Sequence, residues 1–426
     1  MRGLIIAAPS SGSGKTTITL GLLRALRRKG QIIRSAKSGP DYIDPAFHKA
    51  ASSLECVNLD AWAMDDSQIK SLVSGESDII IEGAMGLFDG APPSGKGSTA
   101  DLARTLGLPV VLVVNAASMS HSIAALVQGF ATFDPDVRIA AVILNNVGSD
   151  RHREMLMRAL RKTDIPVLAC IPRAAALSRP SRHLGLVQAG EMPDLEAFLE
   201  AAADIIADHI DLTDLRGLMR RPVLSAVPFV SKEAPPKSIA VARDAAFSFI
   251  YPHHIANWSD AGTQIKWFSP LANDPVPDAE AVFLPGGYPE LHAEKLASND
   301  IFMKSLKNAS QVSDIYGECG GYMTLGETLI DADGTPHKMA GLLGLTTSFA
   351  ARKLHLGYRN LTGLSGQKPG AYKAHEFHYA STISADGSPL FQATDAEGND
   401  LGPIGLTEAR VCGSFAHIIE KAHTKM

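Results

Sequence analysis

The sequence predicts an α/β protein of two domains: a P-loop, doubly wound parallel sheet domain, followed by a second α/β domain. Three observations predict it. The chain opens as strand, glycine-rich loop and helix; short apolar runs then alternate with helical patterns through both halves; and a charged, proline-containing stretch, Val230 to Lys237, interrupts the alternation. At 426 residues the chain can hold two cores, since single cores stop growing near about 250 to 300 residues. The boundaries read from the sequence are 1–230 and 238–426.

The opening element is the strand Leu4–Ala8, the loop Pro9–Thr17, and an amphipathic stretch carrying Ile18, Leu22, Leu23 and Leu26 before Gly30. A P-loop asks for Gly-x-x-x-x-Gly-Lys-Ser/Thr, and Pro9 stands where the first glycine belongs. The positions that hold the chemistry are present. Gly12, Ser13 and Gly14 bring backbone N–H groups close to phosphate oxygens, Lys15 reaches the terminal phosphates, and Thr16, beside Thr17, offers a hydroxyl to Mg²⁺. These residues, between a strand and a helix, imply nucleotide binding.

The runs Ile79–Ile81, Val110–Val114, Ala140–Leu144 and Val167–Cys170 read as buried parallel strands of the first domain. A new series begins at Ile239–Ala242 and continues through Ile265–Phe268, Ala281–Leu284 and Val312–Tyr316, again read as strand alternating with helix. No internal repeat stands out.

Composition narrows the function classes. With 45 acidic and 40 basic residues and a net charge of -5, the chain has no nucleic-acid footprint. Cys56, Cys170, Cys319 and Cys412 lie far apart with no C-x-x-C, which argues against a disulfide framework or zinc ribbon and for a reducing compartment. The first residues form a strand rather than a leader, and no apolar run is long enough to span a bilayer, so a cytoplasmic protein without a membrane partner is expected.

Two acidic elements complete the expected nucleotide site. Glu82 ends the run Asp78–Ile81 and precedes Gly83, at the C-terminal sheet edge where open parallel sheets bind ligands; it suits a Mg²⁺ ligand. Lys37 precedes Gly39–Pro45, whose Asp41 and Asp44 can hold a metal and a phosphoryl group together. In the second half, Cys319 lies in Gly317-Glu318-Cys319-Gly320-Gly321, a spacing that suits a nucleophile elbow, with the following helix N-terminus expected to lower the thiol pKa. The turn Gly286–Gly287 and Gly320 are candidates for an oxyanion hole, with Gly287 and Gly320 offering N–H groups, and His417 is the candidate base.

These motifs together resemble the glutamine-dependent a,c-diamide synthases of corrin biosynthesis. The resemblance runs nearly end to end: Ala8–Thr17, Lys37–His48, Glu82–Gly90, Gly97–Asp101, Arg182–Leu186, Asp244–Tyr251, Leu284–Glu290, Gly317–Gly321, His375–Tyr379 and Phe415–His417. It implies an N-terminal domain like dethiobiotin synthetase and a C-terminal domain like a class I glutamine amidotransferase. It further implies Cys319 as glutaminase nucleophile with His417 as base, and places Thr16, Asp41, Asp44 and Glu82 in the Mg-ATP and carboxylate-activating site. Many class I amidotransferases carry Glu two residues after the catalytic His; this chain has Ile419 there and Glu420 one place later, so the resemblance implies a Cys-His dyad.

The implied chemistry is amidation of a corrin polycarboxylate. A carboxylate does not accept ammonia until its oxygen becomes a leaving group, so transfer of the ATP γ-phosphoryl to give an acyl phosphate is expected. Glutamine supplies ammonia through a Cys319 thioester, passed internally because free ammonia is mostly protonated at neutral pH. Two rounds would amidate the a and c side chains. Similarity leans towards hydrogenobyrinate over cobyrinate, and the sequence leaves the oligomeric state open, a homodimer being compatible with it.

For a polyanionic substrate, Arg151, Arg153, Arg173, Arg179, Arg182 and His183 form the basic cluster after the last parallel strands, with Arg182 and His183 the chosen contacts. His375 and His378 are read as substrate contacts or packing residues rather than a metal pair. Other readings are a partition-type ATPase switch, which would need a second lysine near Ser10 or Ser11, a dethiobiotin-synthetase-like enzyme with an inert second domain, and the synthase that amidates the remaining corrin carboxylates.

Overall fold

The computed structural model describes residues 1–174, 188–225 and 235–422. The chain divides into two compact units, Met1–Phe229 and Val230–Met426. Among the described residues no helix is long and apolar enough to cross a membrane.

The first unit is a seven-stranded parallel sheet made of β1 (Gly3–Ala7), β2 (Ile33–Ser38), β3 (Cys56–Leu59), β4 (Asp78–Glu82), β5 (Val110–Asn115), β6 (Ile139–Val147) and β7 (Val167–Pro172), in the order β3-β2-β4-β1-β5-β6-β7. β1, β4 and β5 are continuous β-branched and apolar runs buried on both faces, as a sheet covered by helices requires. Crossovers use α1 (Lys15–Arg28), α2 (Ile43–Ser52), α3 (Asp66–Val73), α4 (Thr99–Leu106), α5 (Ser122–Thr132) and α6 (Asp150–Leu160). The chain steps one way across the sheet through β1, β2 and β3 and the other way from β3 onward. Right-handed crossovers therefore put α1 and α2 on one face and α3 to α6 on the other. A further helix, α7 (Leu195–His209), packs on α1 so closely that a Cβ at Gly21 would stand 2.6 Å from Ile206 Cγ1 and 2.8 Å from the Ala202 carbonyl. The loops leaving β1, β2 and β4 share one sheet edge.

The second unit carries β8 (Ser238–Ala242), β9 (Gln264–Phe268), β10 (Ala281–Leu284) and β11 (Asp314–Glu318). These pair in parallel in the order β9-β8-β10-β11. The last strand begins two residues later than the sequence pattern suggests, because Ser310 to Ser313 turn at the end of a helix, Asp300–Ala309, and Val312 is left 74% exposed.

The final hundred residues lie beyond the last run read as a strand from the sequence, and among the described residues they form strands without intervening helices. They hold β12 (Thr328–Ile330), β13 (Pro336–Lys338), β14 (Gly344–Ser348), β15 (His355–Gly363), β16 (Ala371–His378), β17 (Ser381–Asp386), β18 (Ser388–Thr394), β19 (Asp400–Glu408), β20 (Val411–Ser414) and β21 (His417–Lys421). β20 joins β11 in parallel, and β19, β18, β15, β16 and β21 extend the sheet antiparallel. β13, β12, β14 and β17 form a separate four-stranded sheet. Many of these strands bury only one face, so they lack the solid apolar runs that mark parallel strands in a sequence.

Candidate active site

In the first unit the loop after β1 is held open by glycine. Gly12 and Gly14 have φ of 76° and 93°, and a Cβ on Gly14 would collide with the Asn145 amide, whose Nδ2 donates to the Ser13 carbonyl at 3.0 Å. α1 begins at Lys15, so Lys15, Thr16 and Thr17 form its first turn. Lys15 Nζ donates to the Met85 carbonyl in the loop after β4. Burial, and then the charge of Lys37, lower the Lys15 pKa to about 8.

Strand pairing sets Lys37 on β2 opposite Glu82 on β4, and α2 brings Asp44 over both. Lys37 Nζ donates to Asp44 Oδ2 at 2.6 Å and to Glu82 Oε1 at 2.8 Å, and lies 3.9 Å from Asp41 Oδ2. Thr16 Oγ1 stands 2.6 Å from Glu82 Oε1 and 3.2 Å from Asp44 Oδ2. Burial opposes charge on Lys37, but Glu82, Asp44 and Asp41 outweigh it and raise its pKa. Burial also opposes charge on Glu82, and Lys37 and His48 overcome it, so the carboxyl pKa is lowered. Asp41 uses Oδ1 to accept from the amides of Ile43 and Asp44 at the start of α2; burial and then the Asp44 charge lift its pKa to about 6.

Two residues here escape sequence reasoning. His48 is fully buried; its Nε2 donates to Glu82 Oε2 at 2.6 Å and its Nδ1 lies 3.4 Å from Cys56 Sγ. Its place four residues after Asp44, on the same face of α2, is the signal that could have found it. Asn145, at the end of β6, is the other.

Thr16, Asp44 and Glu82 thus converge as hard oxygen donors, the set that Mg²⁺ takes, with Lys37 and His48 balancing the two carboxylates.

In the second unit Cys319 sits at φ 45° and ψ −100° between β11 and the helix Gly320–Leu325, a strained elbow that small neighbours permit. A Cβ on Gly317 would stand 2.7 Å from Leu325 Cδ1 and 2.8 Å from Gly321 C, and one on Gly321 would collide with the Leu284 carbonyl. Cys319 N donates to the Ser414 carbonyl at 2.8 Å, tying the elbow to the end of β20. His417, three residues on, begins β21 and is 2% exposed. A Cβ on Gly286 would collide with the His417 ring, and one on Gly320 would stand 3.1 Å from the Gly287 amide nitrogen. Gly286, Gly287, Gly320, Cys319 and His417 are therefore built into one cluster.

A carboxylate stands beside the histidine, from a direction the sequence did not suggest. Glu318 Oε2 lies 3.6 Å from His417 Nδ1, outside hydrogen-bond reach, while Glu318 Oε1 accepts from the Ile418 amide at 3.0 Å. It precedes the nucleophile rather than following the histidine.

The thiol departs from expectation: its pKa is raised, not lowered. Burial is the main cause and the charge of Glu290 the next, with an N–H from Gly320 acting weakly the other way. The six-residue helix is too short, and the thiol, 3% exposed, too desolvated, for the helix terminus to win.

His375 and His378 do not form a pair. Three residues apart on β16 they face opposite sides. His375 lies opposite His417 in register, whereas His378 stacks on His355 at 4.7 Å and donates to Glu376 at 2.9 Å. His355, Glu376 and His378 could be read as metal ligands, but Arg359 Nε holds the other Glu376 oxygen at 2.7 Å, and the carboxyl pKa, despite burial, falls to about 2 through His378 and Arg359. Arg359 and His378 thus occupy both oxygens of Glu376, while His378 Nδ1 meets no hydrogen-bond partner among the described residues. Arg151, Arg153 and Arg173 are exposed, and Arg179, Arg182 and His183 lie outside the described residues.

Residues 4–187 match the CobQ/CobB/MinD/ParA nucleotide binding domain, and residues 238–425 match the CobB/CobQ-like glutamine amidotransferase domain. The chain is 55% identical over 431 residues to hydrogenobyrinate a,c-diamide synthase of Brucella anthropi, and 50% identical over 434 residues to the protein of that name from Rhizobium meliloti, each alignment covering 99% of both chains. A Mesorhizobium japonicum protein of the same name is 48% identical with the same coverage. With a nucleotide loop in one unit, a thiol elbow in the other and likeness along the whole chain, this protein belongs to the hydrogenobyrinate a,c-diamide synthase family.

Proposed function

We propose that the chain amidates the a and c carboxylates of hydrogenobyrinate, the cobalt-free corrin, using ATP and glutamine. The observation that carries the reading is the coexistence, in one chain like these synthases throughout, of the Lys15–Thr16–Lys37–Asp44–Glu82 cluster and the Cys319–His417 elbow. Cobyrinate is the second reading for the substrate, and the synthase for the remaining corrin carboxylates is disfavoured by the names of the full-length relatives.

In the first unit Gly12 to Thr17 cradle the nucleotide phosphates and Lys15, with its lowered pKa, follows the terminal phosphate. Thr16, Asp44 and Glu82 would hold Mg²⁺, which when bound neutralises phosphate charge. Lys37, locked between Asp44 and Glu82, fixes both carboxylates and presents a cation toward the substrate carboxylate, whose oxygen attacks the γ-phosphorus as its bond to the bridging oxygen breaks, giving an acyl phosphate and ADP. Asp41 borders that position. Arg182 and His183 remain candidates for the corrin's other carboxylates.

In the second unit His417 takes the Cys319 proton as the thiol attacks the glutamine amide, then returns it to the departing ammonia. Gly287 and Gly320 N–H groups receive the oxyanion, and water clears the thioester. Because the thiol is raised in pKa, attack calls for a base to take its proton, the place His417 fills. The ammonia then displaces phosphate from the activated carboxylate. The protein acts in the cytoplasm on small molecules, and a homodimer is compatible with the proposal.

The test is a product mass after incubation with ATP, glutamine and each corrin. Two additions of −1 Da per hydrogenobyrinate, each an OH replaced by NH₂, are expected; none on either corrin would overturn the reading.

A further inference from the structure

We infer that Glu290 is the receptor for the α-ammonium group of glutamine, and so the residue that distinguishes glutamine from other primary amides at the thiol. The inference rests on the glutaminase reading above and extends it to a substrate contact.

Glu290 lies on the one-turn 3-10 helix Pro289–His292, directly after the Gly286–Gly287 turn. That turn packs on the nucleophile's helix, with Pro289 Cδ 2.8 Å from where a Gly320 Cβ would stand. Among the charged groups that act on Cys319, Glu290 acts most strongly. Its Oε2 is buried and meets no hydrogen-bond partner among the described residues. A buried carboxylate oxygen left so is costly and calls for a partner.

Nothing in the amide chemistry uses this group. A negative charge beside a thiol that must give up its proton works against the nucleophile, and burial holds the Glu290 pKa up to about 7, with its own backbone N–H and then the exposed Arg352 offsetting the effect only in part. The carboxylate becomes intelligible when a cation arrives with the substrate. Glutamine presents its amide at one end and an ammonium at the other, and an ammonium against Glu290 supplies the missing partner. It also cancels the charge that disfavours thiolate, so the nucleophile is activated when the correct amide is bound.

The experiment compares glutamine with glutaramate, the same molecule lacking the α-amino group, as substrates for hydrolysis by the full chain. The wild-type enzyme is expected to prefer glutamine in kcat/KM on the order of 100-fold. In Glu290→Gln the glutamine value is expected to fall by a similar factor while that for glutaramate holds or rises, the opposing charge being gone, so the preference collapses to within about tenfold. ATP-dependent synthesis driven by ammonium salts is expected to be unchanged, which certifies the fold. Equal loss with both amides, an undiminished preference in the variant, or a wild-type enzyme that uses both amides alike would each overturn the inference, and the last needs no variant. Wild-type enzyme that makes product from ammonia yet hydrolyses no glutamine would instead overturn the glutaminase reading itself.

Discussion

Lys37 and Glu82 face each other across adjacent parallel strands, their side chains meeting at 2.8 Å in a pair that is 5% and 0% exposed. Asp44 closes on the same ammonium at 2.6 Å. Removing the cation from such a group strands buried carboxylates, which costs about 3–5 kcal/mol. Lys37→Met is expected to destabilise the first unit by that amount in chemical denaturation and to abolish ATP-dependent synthesis, while glutamine hydrolysis survives.

Gly286 leaves room for the base. Since a Cβ there would collide with the His417 ring, Gly286→Ala is expected to displace the imidazole. Glutamine hydrolysis should fall by about 10²–10⁴, the contribution of a positioned general base, with ammonia-driven synthesis intact. Equal loss of both activities would place the damage elsewhere.

The thiol gives a pH test. A raised pKa means less thiolate at any given pH than an ordinary cysteine holds, with burial slowing attack further. Alkylation of Cys319 by iodoacetamide, followed by peptide mass, is expected to be slow at neutral pH and to go on rising above pH about 9. A plateau below pH 8 would mean a thiolate–imidazolium pair in the free enzyme.

His253 gives a second. It is 1% exposed, its Nε2 donates to the Ile419 carbonyl at 2.9 Å, and its Nδ1 has no partner among the described residues, so the neutral ring fits and the cation does not. Burial, with His254 beside it, lowers its pKa to about 3. The unfolded chain takes up this proton below pH about 6.5 and the folded chain only near 3, so stability is lost as pH falls through that window. His253→Gln is expected to flatten the decline of unfolding midpoint across it.

How much of this is legible in the sequence follows from where the information lies. The P-loop, Glu82 and Cys319 are legible because each is a local pattern at the end of an apolar strand, where the fold itself puts ligands. Lys37 and Asp44 are legible through their positions, one at the end of the next strand and the other in the segment that follows it. His48, Asn145, Glu318 and Glu290 are not, because each acquires meaning from a contact between distant segments: α2 against β4, β6 against the phosphate loop, β11 against β21, the glycine turn against the elbow. The antiparallel arm after Leu325 escapes for a different reason, since strands with one wet face carry too little apolar contrast to be told from loops. The thiol's raised pKa escapes because burial is a tertiary property, whereas the helix that follows the cysteine can be read locally.

In the proposed reaction one unit activates an acid with a nucleotide while the other releases the nitrogen. Cys319→Ala separates them most directly, with product counted by mass from ATP and hydrogenobyrinate supplied with either glutamine or ammonium salt. Diamide is expected from ammonium at a rate close to wild type, and none from glutamine. Diamide still formed from glutamine, or no rescue by ammonium in a folded variant, would contradict that division.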